Sequence, residues 1–180
     1  MKEFLKSTYG FSNYQIAQLG YLGKTLFSEI SKLVIIGLFF YSQPDVYLVA
    51  VVMLLLLRTS TGGLHCKTYF TCLLASFLYM LICIMFLPLL LIPGYLQIPL
   101  LVLCMVVNWK LGPVTSDIHL PLSEENKKKG RIRALIVILS FLLFCCIIPE
   151  NKYISVCFWI IIVHSLQLIY AKIRKKGETT

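Results

Sequence analysis

Six apolar runs divide this chain, and its cations gather at one kind of end of them. The runs are Leu26–Tyr41, Val46–Leu57, Phe70–Ile92, Leu96–Val107, Ala134–Ile148 and Tyr153–Tyr170. A helix perpendicular to a bilayer needs ~20 residues to cross the hydrocarbon core. Phe70–Ile92 is long enough outright, with a kink expected at Pro88. Val46–Leu57 and Leu96–Val107 are short, so they must recruit flanking residues, thin the bilayer, or enter and return on one side. If all six runs cross, fifteen of the seventeen Lys and Arg fall on one side. Lys152 stands alone on the other side and Lys32 lies within the first run. Positive charge marks the cytosolic face, so both termini are expected there.

Composition agrees. The chain of 180 residues is 58% hydrophobic and 14% charged, whereas a soluble domain is about half apolar and about a quarter charged. The predicted class is an all-α integral membrane protein forming one polytopic domain over residues 1–180. About six transmembrane or partly re-entrant helices follow an amphipathic, interfacial N-terminal helix (residues 1–23, broken near Gly10). No cleavable signal peptide is expected, because residues 1–24 lack a short apolar core with a small-residue cleavage site. The net charge of +9 reads as topology and anionic headgroups rather than nucleic acid. Seven cysteines in no regular spacing argue against a disulfide framework. The three histidines show no H-x-x-x-H pattern, so no metal is expected. No phosphate-cradling loop is present, so no nucleotide or other cofactor is implied. Glu29, the one acid inside an apolar run, stands three residues before Lys32, where the two can pair.

The chemistry concentrates between the second and third runs, in Arg58-Thr-Ser-Thr-Gly62-Gly63-Leu-His65-Cys66-Lys-Thr-Tyr-Phe-Thr-Cys72. Polar groups at membrane depth are costly, and a functional role is their default reading. Gly62 and Gly63 permit positive φ and close backbone approach, so a helix should end there. The next helix should begin before Cys72. An imidazole can take a thiol proton and leave a nucleophilic thiolate. In an unbroken helix His65 and Cys72 would be ~10.5 Å apart along the axis, too far to pair. The chain after Gly62 must therefore fold His65 back over the helix start, whose dipole also favours a thiolate. Cys66 is an alternative nucleophile, although adjacent side chains diverge. Arg58 is either a positive-inside anchor or a group for a substrate carboxylate or oxyanion. Gly63 supplies the turn or an oxyanion N–H. His164, flanked by Ser165 and Gln167 in the last run, reads as a buried, hydrogen-bonded contact between helices, and His119 as an exposed loop residue.

The spacing Arg58, Gly63, His65, Cys72 resembles that of the AgrB family, the accessory gene regulator membrane peptidases. The resemblance extends to Gly112-Pro113-Val114-Thr115-Ser116, to Pro121-Leu122 and to the basic stretch Lys127–Arg133, which closes an expected cytosolic basic loop over residues 108–133. It covers essentially the whole chain. The resemblance implies a cysteine endopeptidase of a bacterial plasma membrane, with Cys72 as nucleophile and His65 as general base. The implied partner is an AgrD-like propeptide, held as a thioester and cyclised to a thiolactone or lactone signal in quorum sensing. Its acidic tail would dock on Lys127, Lys128, Lys129, Arg131 and Arg133. Loop residues Gly112 and His119 depart from the acidic or amide residues more usual there. So small a bundle also suits a homodimer. The rival class is a small peptide transporter or exporter in which His65 and Cys72 merely line a path; no internal repeat of the kind such proteins show is visible.

Overall fold

The computed structural model describes residues 12–62, 68–90, 92–114, 123–148 and 151–177, and every element named among them is helical. The contacts divide the chain into two units, residues 1–42 and 43–180.

The first unit holds helix α1, Asn13–Phe39. Its start follows from a reciprocal cap. Ser12 Oγ accepts from Gln15 N at 3.2 Å, and Gln15 Oε1 accepts from Ser12 N at 2.9 Å, so two orphan N–H groups are satisfied at once. The helix then runs through Gly20 and Gly23 without a break. Residues 13–23 and the first apolar run are thus one helix, where the sequence suggested a boundary at Gly23. The expected break at Gly10 lies outside the described residues. Glu29 and Lys32 pair as expected.

The second unit is a bundle of five helices: α2 (Pro44–Thr61), α3 (Tyr69–Leu81), α4 (Gly94–Leu111), α5 (Glu124–Ile147) and α6 (Lys152–Gly177). After α3 the chain widens into a π-turn over Ile82–Phe86 and tightens into a 3₁₀ turn over Leu87–Leu89. Pro88 explains the change, since it has no N–H to give back to Ile84. Among the described residues, five stretches are long and apolar enough to cross a membrane, namely α2, α3 with its two continuations, α4, α5 and most of α6. α1 has the length but carries Lys24, Glu29 and Lys32. Helices suit lipid because each satisfies its own backbone polar groups.

The two short runs turn out to be parts of full helices of 18 residues each, about 27 Å long at the helical rise. α2 reaches this length by absorbing Thr59, Ser60 and Thr61. Their hydroxyls donate to the carbonyls of Leu55, Leu56 and Leu57 at 2.8, 2.7 and 3.0 Å. The polar groups are consumed inside the helix. α4 gains its first turn through Pro93 at the cap and a bond from Gln97 Nε2 to Ile92 O of 2.9 Å.

α6 is the central element. More than half of its apolar stretch is buried, and it packs on both α2 and α4, while α5 packs on α2 and α4 from outside. At one end of the bundle, Lys152 and the Tyr153 hydroxyl meet Asp45 Oδ2 at 2.7 and 2.6 Å, which ties the start of α6 to the start of α2. The opposite end is closed by backbone. Val114 N donates to Thr61 O at 2.9 Å and Gly62 bridges to Val114. Arg131 Nε donates to Gly112 O at 2.7 Å. Gly130 lies so close to Ser60 O that an added Cβ would collide with it, and a Cβ on Gly112 would stand 2.7 Å from Asn108 O and 3.0 Å from Thr61 Cγ2.

Close backbone approach of this kind cannot be relieved by a rotamer change, so Gly130→Ala should cost about 1–3 kcal/mol. Gly23→Ala, in α1 with nothing within 4 Å of the new methyl, should be neutral or stabilising. Thermal unfolding of the two variants in the same detergent checks this; equal midpoints would contradict the packing described.

Candidate functional site

Cys72 is the fourth residue of α3. Thr68 caps that helix, with its Oγ1 accepting from Thr71 N at 3.3 Å, and its carbonyl accepts the Cys72 N–H at 3.1 Å. The thiol is therefore held in the first turn of the helix. It is half-buried.

The side of α3 bearing Cys72 continues through Ala75, Ser76 and Tyr79, at helical steps of three, four and seven. With Leu54 and Arg58 of α2 and Gln167 of α6, these residues line a cavity of about 90 Å³. Arg58 and Cys72, singled out from sequence, are thus brought to one space. Tyr79 is buried and donates to Ile160 O on α6 at 3.0 Å, which locks α3 onto α6 beside the cavity. Among the described residues, four buried side-chain atoms have no hydrogen-bond partner, Arg58 Nε, Asn108 Oδ1, His164 Nδ1 and Gln167 Oε1, and of these residues only Arg58 and Gln167 line this cavity.

Arg58 sits in the last turn of α2, which ends where the sequence placed a break. Gly62 has φ of 76° and lies against Val114 O, so both its backbone region and the missing Cβ require glycine. Gly63, His65 and Cys66 lie outside the described residues, as does His119.

Thr61, the last residue of α2, is fully buried and its Oγ1 lies 2.8 Å from His164 Nε2. The hydroxyl has one proton and gives it to Leu57 O, so it accepts the Nε2–H of a neutral imidazole. This is the buried helix–helix contact expected of His164. Next to it, Asn108 Nδ2 donates to Ser165 Oγ at 2.8 Å and to Cys104 O at 2.8 Å. Two polar bonds therefore fix α6 against α2 and α4.

The basic stretch is helical, which corrects the expectation of one loop over residues 108–133. α4 runs to Leu111 and α5 begins at Glu124. Ser123 caps α5 by accepting from Asn126 N at 3.3 Å. Lys127 then pairs with Glu124, and Lys129 with Glu125, each at 2.7 Å. Charges at these spacings support a helix. Arg131 clamps Gly112 O, as above, while Lys128 and Arg133 are exposed. Among the described residues no group of His, Cys, Asp and Glu could hold a metal ion.

Tyr79 and Gln167 line the cavity and were not proposed for it from sequence. Tyr79 could have been found by its step of seven from Cys72. Gln167 offered only the signal of a polar residue in an apolar run.

Removing one partner of the Thr61–His164 bond leaves the other buried and unpaired, at a cost of about 1–3 kcal/mol. Thr61→Val and His164→Leu should each lower the unfolding midpoint, and the double variant should lose less than the sum of the two. Strict additivity would mean that the bond is not formed.

Comparison with known proteins came to three findings. A family model described as Accessory gene regulator B matches residues 4–169. A protein described as AgrB-like from Clostridium beijerinckii is 34% identical over 77 residues, covering 42% of this chain and 39% of that relative. No solved structure matches.

Proposed function

The chain belongs to the accessory gene regulator B family and is a multi-pass membrane protein of that system; on this premise we propose that it is a cysteine endopeptidase that cleaves an AgrD-like propeptide. The observation that carries the reading is Cys72 in the first turn of α3, on a cavity that Arg58 of α2 also lines. Family spacing supplies the remaining partner, His65, as general base, with Gly63 in the connecting turn.

The chemistry proceeds in two transfers. His65 takes the Cys72 proton, and the sulfur attacks the carbonyl carbon of the scissile bond. The C–N bond breaks, the proton passes to the leaving amine, and the acyl group stays on Cys72 as a thioester. Stabilisation of the oxyanion of that step falls to Arg58, a role supported by its place on the same cavity. An internal Cys thiol or Ser hydroxyl of the peptide then attacks the thioester carbonyl. A thiolactone or lactone ring forms and the Cys72 thiolate leaves. The thioester retains much of the energy of the peptide bond, so the closure needs no ATP. Exclusion of water at the membrane protects it.

The end of the bundle with Arg58, Lys110 and the first turns of α5 is cytosolic by the positive-inside rule, and both termini are cytosolic if α1 also crosses. The acidic propeptide tail meets α5 there. Glu124 and Glu125 neutralise part of the cluster, so Lys128 and Arg133, exposed on the same helix, carry most of the attraction.

Cys72→Ser should abolish propeptide cleavage in membranes while leaving expression at the wild-type level; cleavage by Cys72→Ala protein would overturn the reading. Below neutral pH, iodoacetamide should modify half-buried Cys72 faster than exposed Cys146, because only an activated thiol outruns a more accessible one. Replacing Lys128 and Arg133 with Gln should raise KM several-fold without lowering kcat, and should flatten the salt dependence of KM. Unchanged kinetics at low salt would remove the docking role.

A further inference from the structure

The two unpartnered atoms whose residues line the cavity with Cys72 are of opposite kinds. Arg58 Nε is a donor and Gln167 Oε1 an acceptor, and they come from different helices, α2 and α6. Groups buried in this way lose hydration without recompense, and such a pair marks a place for a ligand that carries both functions. A carboxylate has no proton for Gln167. An ammonium has no acceptor for Arg58. A peptide unit has both, and in the trans form its C=O and N–H point in opposite directions, so it draws its donor and acceptor from separate walls.

We propose that this pair holds the main chain of the substrate: Arg58 Nε–H donates to the carbonyl, and Gln167 Oε1 accepts the N–H, of the peptide unit just before the residue whose carbonyl Cys72 attacks. Gln167 is then a substrate-binding residue of α6, acting on backbone rather than on a side chain. The adjacent walls, Leu54 and Ala75, are apolar and leave the neighbouring side chain to apolar contact. The inference rests on Cys72 being the nucleophile.

The test uses the full chain in phosphatidylglycerol–phosphatidylcholine vesicles. Acetyl-Ala-Leu chloromethyl ketone offers the required peptide unit; the Cys72 sulfur bonds to its methylene carbon and chloride leaves. Methyl methanethiosulfonate offers no peptide unit. Modification of Cys72 and Cys146 is read by mass spectrometry. The wild type should react with the chloromethyl ketone faster at Cys72 than at Cys146. Gln167→Met should slow that reaction at Cys72 about tenfold, the loss of one buried hydrogen bond, while the small reagent reacts at the wild-type rate. Methylating the leucine nitrogen of the ketone should slow the wild type equally, with little further loss in Gln167→Met. An equal fall with both reagents would assign Gln167 to packing and overturn the inference. So would full reactivity of the N-methyl ketone, because no substrate N–H is then bound. A wild type without preference for Cys72 would remove the peptidase reading itself, a result distinct from either.

Discussion

The backbone closure at the basic end of the bundle is the constraint on which the remaining arrangement depends. Three helices meet there at glycines that leave no room for a Cβ: Gly62 after α2, Gly112 after α4 and Gly130 in α5. Hydrogen bonds from Val114 N to Thr61 O and from Arg131 Nε to Gly112 O cross the junction. Helix–helix association in lipid draws little from hydrophobic burial, because lipid is as apolar as the helix surfaces. Close packing of small residues and polar bonds must supply it. The junction uses both. By fixing where α2 ends, it also fixes the point from which the chain leaves toward α3.

Polar groups buried deeper in the bundle divide by what they do. Thr61, His164, Asn108 and Ser165 are bonded to one another across helices. They hold α6 in place, as expected of polar residues that have found partners in a low-dielectric interior. Arg58 and Gln167 also keep buried polar atoms without a protein partner, as Asn108 Oδ1 and His164 Nδ1 do, but only Arg58 and Gln167 line the cavity with Cys72. The first group stabilises the fold. The second costs stability in the absence of a ligand, and such a cost is tolerated where binding recovers it.

Much of this was legible in the sequence where one local rule acted alone. The apolar runs became helices, Gly62 ended α2, Pro88 disturbed the helix after α3, Glu29 paired with Lys32, and Cys72 lay in a first helical turn. The errors came where two signals overlapped. Ser123-Glu-Glu-Asn-Lys-Lys-Lys reads as a charged loop by composition, yet it holds a cap and the Glu–Lys spacings of a helix, and those local bonds won. Val46–Leu57 looked too short because Thr59, Ser60 and Thr61 count as polar, although their hydroxyls bond back into the helix. Gln167 could not be assigned to the site from its neighbours at all. It reaches the cavity only through the packing of α6 on α2, separated from Cys72 by most of the chain.

The proposed main-chain binding mode suits the proposed reaction. The acyl group must remain in place on the sulfur after the leaving peptide departs, long enough for an internal nucleophile to swing round. Hydrogen bonds to the leaving side would be lost at cleavage. Bonds to the peptide unit before the attacked carbonyl survive it, because that unit belongs to the acyl group. They keep the thioester carbonyl fixed relative to Arg58 while the rest of the peptide stays mobile, and a fixed electrophile with a tethered nucleophile gains the effective concentration that favours a ring over hydrolysis. Side-chain pockets would demand one sequence. Backbone contacts leave the ring residues able to vary while the chemistry at Cys72 stays the same.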